Sequence, residues 1–299
     1  MINRGVILFS LIIFAIFMVG VFQSWNVALA ILNLCLISGI MALGVNVQWG
    51  YAGLFNVGIM GFSALGGMAA VLVAMPPVAD SWAAGGAGIM GSVAAIIVTV
   101  GAVLFARRLT HGARRQLVTA LIVLVGYATA RMLYSPASDA IEDVDPARTG
   151  YLGGLGAPIM VAWLVGGVFA AGAAWIVGRI ALGLRSDYLA IATLGISEII
   201  IAMMKNEDWL TRGVKNVTGL PRPVPYEVDL QSSHWFNQLI QWWHNDALDM
   251  LSEVDQQIAL KQLVIEGSSI FVKLCYAGLF TAVLIIVLFV GAIGRTLKK

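Results

Sequence analysis

The chain contains eight apolar runs long enough, or nearly long enough, to cross a bilayer: 6–22, 26–45, 52–74, 87–105, 116–134, 158–177, 188–204 and 268–293. A spanning helix needs about 20 such residues, and backbone amides in hydrocarbon must find their partners within protein. Continuous apolar runs meet that demand as helices, whereas a barrel would show alternating segments of about ten residues. The expected fold class is therefore all-α, a polytopic transmembrane helix bundle of about eight spans, with 1–299 as one membrane domain. Composition agrees, since 11% of residues are charged, against about 25% in soluble domains.

Charge sets the orientation, because Lys and Arg collect in the short cytoplasmic loops. Arg4, Arg107, Arg108, Arg114, Arg115, Arg179, Arg185, Arg295, Lys298 and Lys299 all fall on one side of the eight crossings. The short loops of the other side, 75–86 and 135–157, carry Arg148 alone against Asp139, Glu142, Asp143 and Asp145. Both ends are thus expected in the cytoplasm. Arg4, the apolar run and Ala28-Leu29-Ala30 also fit a secretory signal. A second span follows at once, so an uncleaved first helix is the preferred reading.

The segment 205–267 falls outside, and it places Trp235, Leu239 and Trp242, then Leu248, Leu251 and Val254, at roughly helical spacing. That pattern predicts an amphipathic helix with its tryptophans at headgroup level. A docking surface for another protein is the second reading.

Several chemistries are excluded. The sequence has no phosphate-cradling P-loop, no GxSxG, no HExxH and no paired carboxylates within the spans, so no enzymatic activity and no nucleotide hydrolysis by this chain itself is expected. His234 and His244, ten residues apart, lack a metal-ligand spacing. Cys35 and Cys275 sit inside apolar runs as small hydrophobes. A formal charge of +2 with no basic run among aromatics argues against nucleic acid. Neither a cofactor nor a metal is expected.

Among the ionisable groups within the spans, Glu198 is the plainest. It follows Tyr188 by ten residues, about 15 Å along a helix and near the middle of a core roughly 30 Å thick. A carboxylate there costs on the order of 2.5–3.5 kcal/mol, so it should face protein or water. Thr193 and Ser197, four apart, share a face about 100° away and give the helix a polar side. The residues leave two roles for Glu198 open, a pathway or gating group and a structural hydrogen-bonding group. A second anomaly is the stretch 44–62, GVNVQWGYAGLFNVGIMGF, with Asn46, Gln48, Asn56 and five glycines at bilayer depth. Tight helix packing would explain the glycines. It leaves the amides unexplained, since amides facing lipid are costly. An irregular or broken span lining a water-filled route accounts for both.

GVNVQWGYAGLFNVG (44–58), LRSDYLAIATLGISEII (184–200), LTRGVKNVTGLPRP (210–223) and GRTLKK (294–299) together resemble the LivM-like permease family of branched-chain amino acid ABC importers. The resemblance implies a translocation pathway at Gly50, Tyr51, Gly53, Asn56 and Gly58, joined by Glu198 and by the Asn46, Gln48, Thr193 and Ser197 of the residue reading. It implies docking of a periplasmic substrate-binding protein on Thr211, Gly213, Asn216, Gly219 and Pro221, and coupling to the ATPase through Gly294, Arg295 and Leu297. The Asn216-Val217-Thr218 sequon is then an accident of composition. The implied function is import of branched-chain or other small neutral amino acids across the bacterial inner membrane. The implied partners are a LivH-like sister permease, two ATP-binding subunits, the binding protein, the lipid bilayer and a small-molecule substrate. An importer of urea or short-chain amides in the same family is one alternative, and a proton-coupled secondary carrier using Glu198 is another. The family's terminal motif opens a helix followed by further spans, so a truncated or split permease is expected, lacking the family's C-terminal spans.

Overall fold

The structure, a computed structural model, describes residues 4–109, 113–146, 149–181, 183–213, 215, 217–245 and 252–297, apart from the side chains of 113, 253 and 293–297. It is helical, and among these residues seven helices are long and apolar enough to cross a membrane. An eighth apolar helix, Ile59–Ala74, is shorter. The chain divides into two compact units, one formed by 1–55 with 222–299 and the other by 56–221.

In the first unit, α1 (Arg4–Phe22) turns into α2 (Trp25–Asn46) at Ser24, whose extended backbone and hydroxyl cap the new helix by accepting the Asn26 N–H at 3.1 Å. This satisfies one of the donors that a helix start leaves open. The long helix α12 (Glu253–Leu297) packs along α2. Polar side chains fasten the pair. The Asn33 amide donates to the Lys273 carbonyl at 3.0 Å, and Ser269 donates to Asn26 Oδ1 at 2.9 Å. The Lys273 ammonium donates to the carbonyl and the side-chain oxygen of Asn26.

The tryptophan-rich segment also belongs to this unit. Two short helices, α10 (Glu227–Ser232) and α11 (His234–Trp243), pack on α12. Phe236, 1% exposed, fills a core with Val224, Leu230, Val264 and Val272, and Ile240 lies against it. Trp235, Leu239 and Trp242 are exposed on α11. Leu248 and Leu251 lie outside the described residues, and Val254 is exposed on α12. Helix α12 therefore starts well before the expected start of the last span at 268, because nothing between 253 and 268 breaks a helix.

The second unit is built on α3 (Ile59–Ala69), extended by a π-helical turn to Ala74, which packs on α7 (Ile159–Ala181) and α8 (Ser186–Asn206). Beside it stands a hairpin of α5 (Ala87–Leu109) and α6 (Ala113–Glu142). Helix α5 is entered from the short helix α4 (Ala79–Ser81) through a second π-helical turn, Trp82–Gly86. At one end, the loop strands knit into a cap. Val78 N–H donates to Leu152 O at 3.1 Å, Leu152 N–H to Trp209 O at 2.9 Å, and Ser81 Oγ to Thr149 O at 2.6 Å. The short helix α9 (Asp208–Thr211) brings Trp209 under this cap, where its indole donates to Glu207 at 2.6 Å and Tyr134 donates to the same carboxylate oxygen. Tyr151 is buried beneath Arg212, whose guanidinium lies 5.9 Å from the ring. Burial pushes the Tyr151 hydroxyl above its usual pKa, and the Arg212 charge pulls the other way.

Candidate functional site

The polar, glycine-rich stretch divides between the units. In the first unit, α2 ends at Asn46 and the chain makes one π-helical turn, Val47–Tyr51. Three bonds close it: Ala52 N–H to Val47 O at 3.2 Å, Gly53 N–H to Trp49 O at 3.2 Å and Leu54 N–H to Gln48 O at 3.0 Å. Gly53 then takes φ of 68°, a left-handed conformation that glycine adopts without steric cost. A Cβ at Gly50 would run into the Asn46 side chain. Asn46 and Tyr51 line a cavity of about 260 Å³ with Leu43, Val287 and Gly291. Asn46 closes α2 and Tyr51 closes the π-helical turn, so the cavity lies against that wider turn.

In the second unit, helix α3 does not begin until Ile59, although the apolar run starts at 52. The preceding residues are irregular, and their amides bond to α8. Thr193 Oγ1 accepts the Val57 N–H at 3.2 Å and donates to Ala190 O at 3.0 Å. Ser197 Oγ accepts the Gly61 N–H at 2.7 Å. Asn56 Oδ1 accepts the Gly58 N–H at 2.8 Å. Thr193 and Ser197 are 4% and 3% exposed, so these hydroxyls replace the water that an exposed helix start would use. Close approach makes this possible. A Cβ at Gly58 would run into the Thr193 carbonyl oxygen, and one at Gly61 would lie 2.9 Å from the Ser197 Cα.

Glu198 follows Ser197 but lies on an exposed part of α8. Among the described residues it has neither a hydrogen bond nor an ion pair. Its position, 12 residues into a 21-residue helix, is about 18 Å from the start and deep within an apolar span. The structure thus brings Asn56, Gly58, Thr193 and Ser197 together, and holds Glu198 on the same helix with its carboxylate directed elsewhere. Asn46, Gln48, Gly50, Tyr51 and Gly53 form their own group in the first unit.

The remaining candidates fall elsewhere. Thr211 is buried, with its hydroxyl donating to Met204 O at 3.2 Å. Gly213 and Gly219 take φ of 57° and 78°, and Pro221 ends the unit. Asn216 lies outside the described residues, as do the terminal lysines. Gly294, Arg295 and Leu297 continue α12. Two polar groups escaped the sequence reading, Lys273 with its Asn26 and Asn33 partners and Arg131 on α6. Each is a lone cation inside an apolar run, which is the signal that could have found them.

The chain is a polytopic α-helical membrane protein with one span broken near its start and pinned on a neighbour. It is 35% identical over 65 residues to the high-affinity branched-chain amino acid transport system permease protein LivM of Escherichia coli (strain K12). It is 34% identical over 67 residues to the protein of the same name from Salmonella typhimurium (strain LT2). These stretches cover 22% of this chain, and 15% and 16% of the length of the curated relatives it matches. No protein-family model matches the chain, and no solved structure matches it.

Proposed function

We propose that this chain is a membrane-spanning permease subunit of an ABC importer for branched-chain or other small neutral amino acids in a bacterial inner membrane. The observation that carries it is the broken third span clamped on α8 while the adjacent Glu198 stays unpartnered among the described residues. A carboxylate at that depth must meet protein or water. A pathway shared with a sister permease chain supplies both, and the partial similarity to LivM supports the transport reading. In this reading Asn46, Gln48, Gly50, Tyr51, Gly53, Asn56 and Gly58 border the route with Thr193, Ser197 and Glu198. The cap residues from Thr211 to Pro221 face the periplasmic binding protein. The end of α12 at Gly294, Arg295 and Leu297 lies toward two separate ATP-binding subunits, which perform all the hydrolysis. Residues 205–267 form the periplasmic segment, and the cytoplasm holds the N-terminus.

The test is leucine uptake into vesicles from cells carrying the chain, with ATP as the energy source and with co-purification of its membrane partners. Glu198→Gln should leave the assembly intact and reduce uptake at least about tenfold, the scale of one lost charge-assisted contact. Undiminished uptake with an intact assembly would remove Glu198 from the pathway. Uptake driven by a proton gradient without ATP, and lost in Glu198→Gln, would favour the secondary-carrier reading.

A further inference from the structure

We propose that the groove between α5 and α6 binds one anionic phospholipid, with an acyl chain along the groove and the phosphate on Arg131. The groove has a volume of about 500 Å³ and is walled by Ile96, Val100, Val103 and Val123, with Tyr127 near its middle and Arg131 toward one end. That volume is within the roughly 300–1,000 Å³ typical of small-molecule sites. Its lining runs from Ser92 to Leu104 on α5, about 18 Å along the helix, which is the shape of a chain rather than of a compact solute.

The groove wall offers almost no polar competition. The Ser92 and Thr99 hydroxyls donate to Ile89 O at 2.8 Å and Ala95 O at 2.7 Å within their own helix, and Tyr134 donates to Glu207. Arg131 is different. It is exposed, and among the described residues it has no ion pair or hydrogen bond. Tyr127 lies four residues earlier on the same helix face, about 6 Å deeper along the groove. Arg131 follows Arg114 by 17 residues, about 25 Å along α6, so the two cations reach opposite headgroup layers of one bilayer. An apolar chain-shaped groove in the hydrocarbon, with an unpaired guanidinium at headgroup level, is complementary to a phosphodiester with an acyl tail.

The test uses the purified 299-residue chain in mild detergent after delipidation. Native mass spectrometry and thermal unfolding are followed while phosphatidylglycerol or phosphatidylcholine of the same chain length is added. Wild type should hold one phosphatidylglycerol and be stabilised by it more than by phosphatidylcholine. Arg131→Gln should weaken phosphatidylglycerol retention about tenfold and abolish the preference, while Arg131→Lys keeps part of it. Val100→Trp, which fills the groove, should abolish retention of either lipid with helical content unchanged. Should Val100→Trp fail to fold, a photo-crosslinker at Val100 should capture lipid in intact membranes. Unchanged preference in Arg131→Gln, retention of the lipid in Val100→Trp, or capture of a polypeptide at Val100 would overturn the proposal.

Discussion

Ser197 and Gly61 illustrate how one side-chain oxygen and one missing Cβ act together. The hydroxyl accepts an amide that the first turn of α3 leaves open, and glycine lets the two backbones come close enough for the bond to be 2.7 Å. Ser197→Ala keeps the packing and strands the N–H in a buried place, at a cost of about 1–3 kcal/mol. Gly58→Ala should cost more, because its Cβ meets the backbone of Thr193 and no side-chain rotation relieves that. Gly67→Ala, inside α3 with nothing within 4 Å of its Cβ, is the control and should be neutral to stabilising by up to about 1 kcal/mol. Thermal unfolding of the purified variants in detergent measures the order. Thr193 and Ser197 were legible beforehand as one polar helix face, since their spacing of four defines it. Their partners were not, because nothing in a one-dimensional pattern says which amide a hydroxyl will accept.

Among the helices, the pair α2 and α12 depends on a cation held by uncharged oxygens. Lys273 has the Asn26 carbonyl and side-chain oxygen as acceptors, so its charge is solvated by the neighbouring helix. Removing the two partners has unequal effects. Asn26→Leu takes away the side-chain oxygen, leaves the ammonium with the residue-26 carbonyl, and should destabilise the unit by about 1–3 kcal/mol, while Lys273→Met removes the charge itself and should be milder. The double variant should recover most of the Asn26→Leu loss, a coupling read from a double-mutant cycle of unfolding temperatures. Additive losses would mean that the two side chains contribute separately. The elements themselves were largely legible, because each apolar run of near-spanning length became helix. The exceptions have physical causes. The run from 52 begins with residues whose glycines and amides prefer an irregular path, so α3 is short. Helix α12 overruns its apolar run because polar residues of good helix propensity extend a helix as readily as apolar ones, and α6 overruns its own by continuing through Pro136 to Glu142.

For the whole molecule, the charge pattern makes a claim about sidedness that the helices can carry. Arg107 and Arg108 lie in the last turn of α5, and Asp139 and Glu142 lie at the far end of the adjacent α6. A single cysteine at Asp139 should react with a membrane-impermeant maleimide added to intact cells, and one at Arg107 should react only after the membrane is opened. The reverse pattern would invert the orientation. The proposed function rests on four short motifs taken together, since a route through a membrane is made of backbone and small residues that carry little individual signal.

The bonds between Asn26 and Lys273 join residues 247 apart in sequence. At about 5–20 residues per second of synthesis, the acceptors on α2 are made roughly 12–50 s before their cation. Throughout that interval Asn26 and Asn33 lie in the membrane without α12, while the second unit, a single unbroken stretch, is completed between them. The order of manufacture therefore requires that α1 and α2 persist as an unfinished pair, shielded by lipid, by the insertion machinery or by each other, until the last long helix arrives.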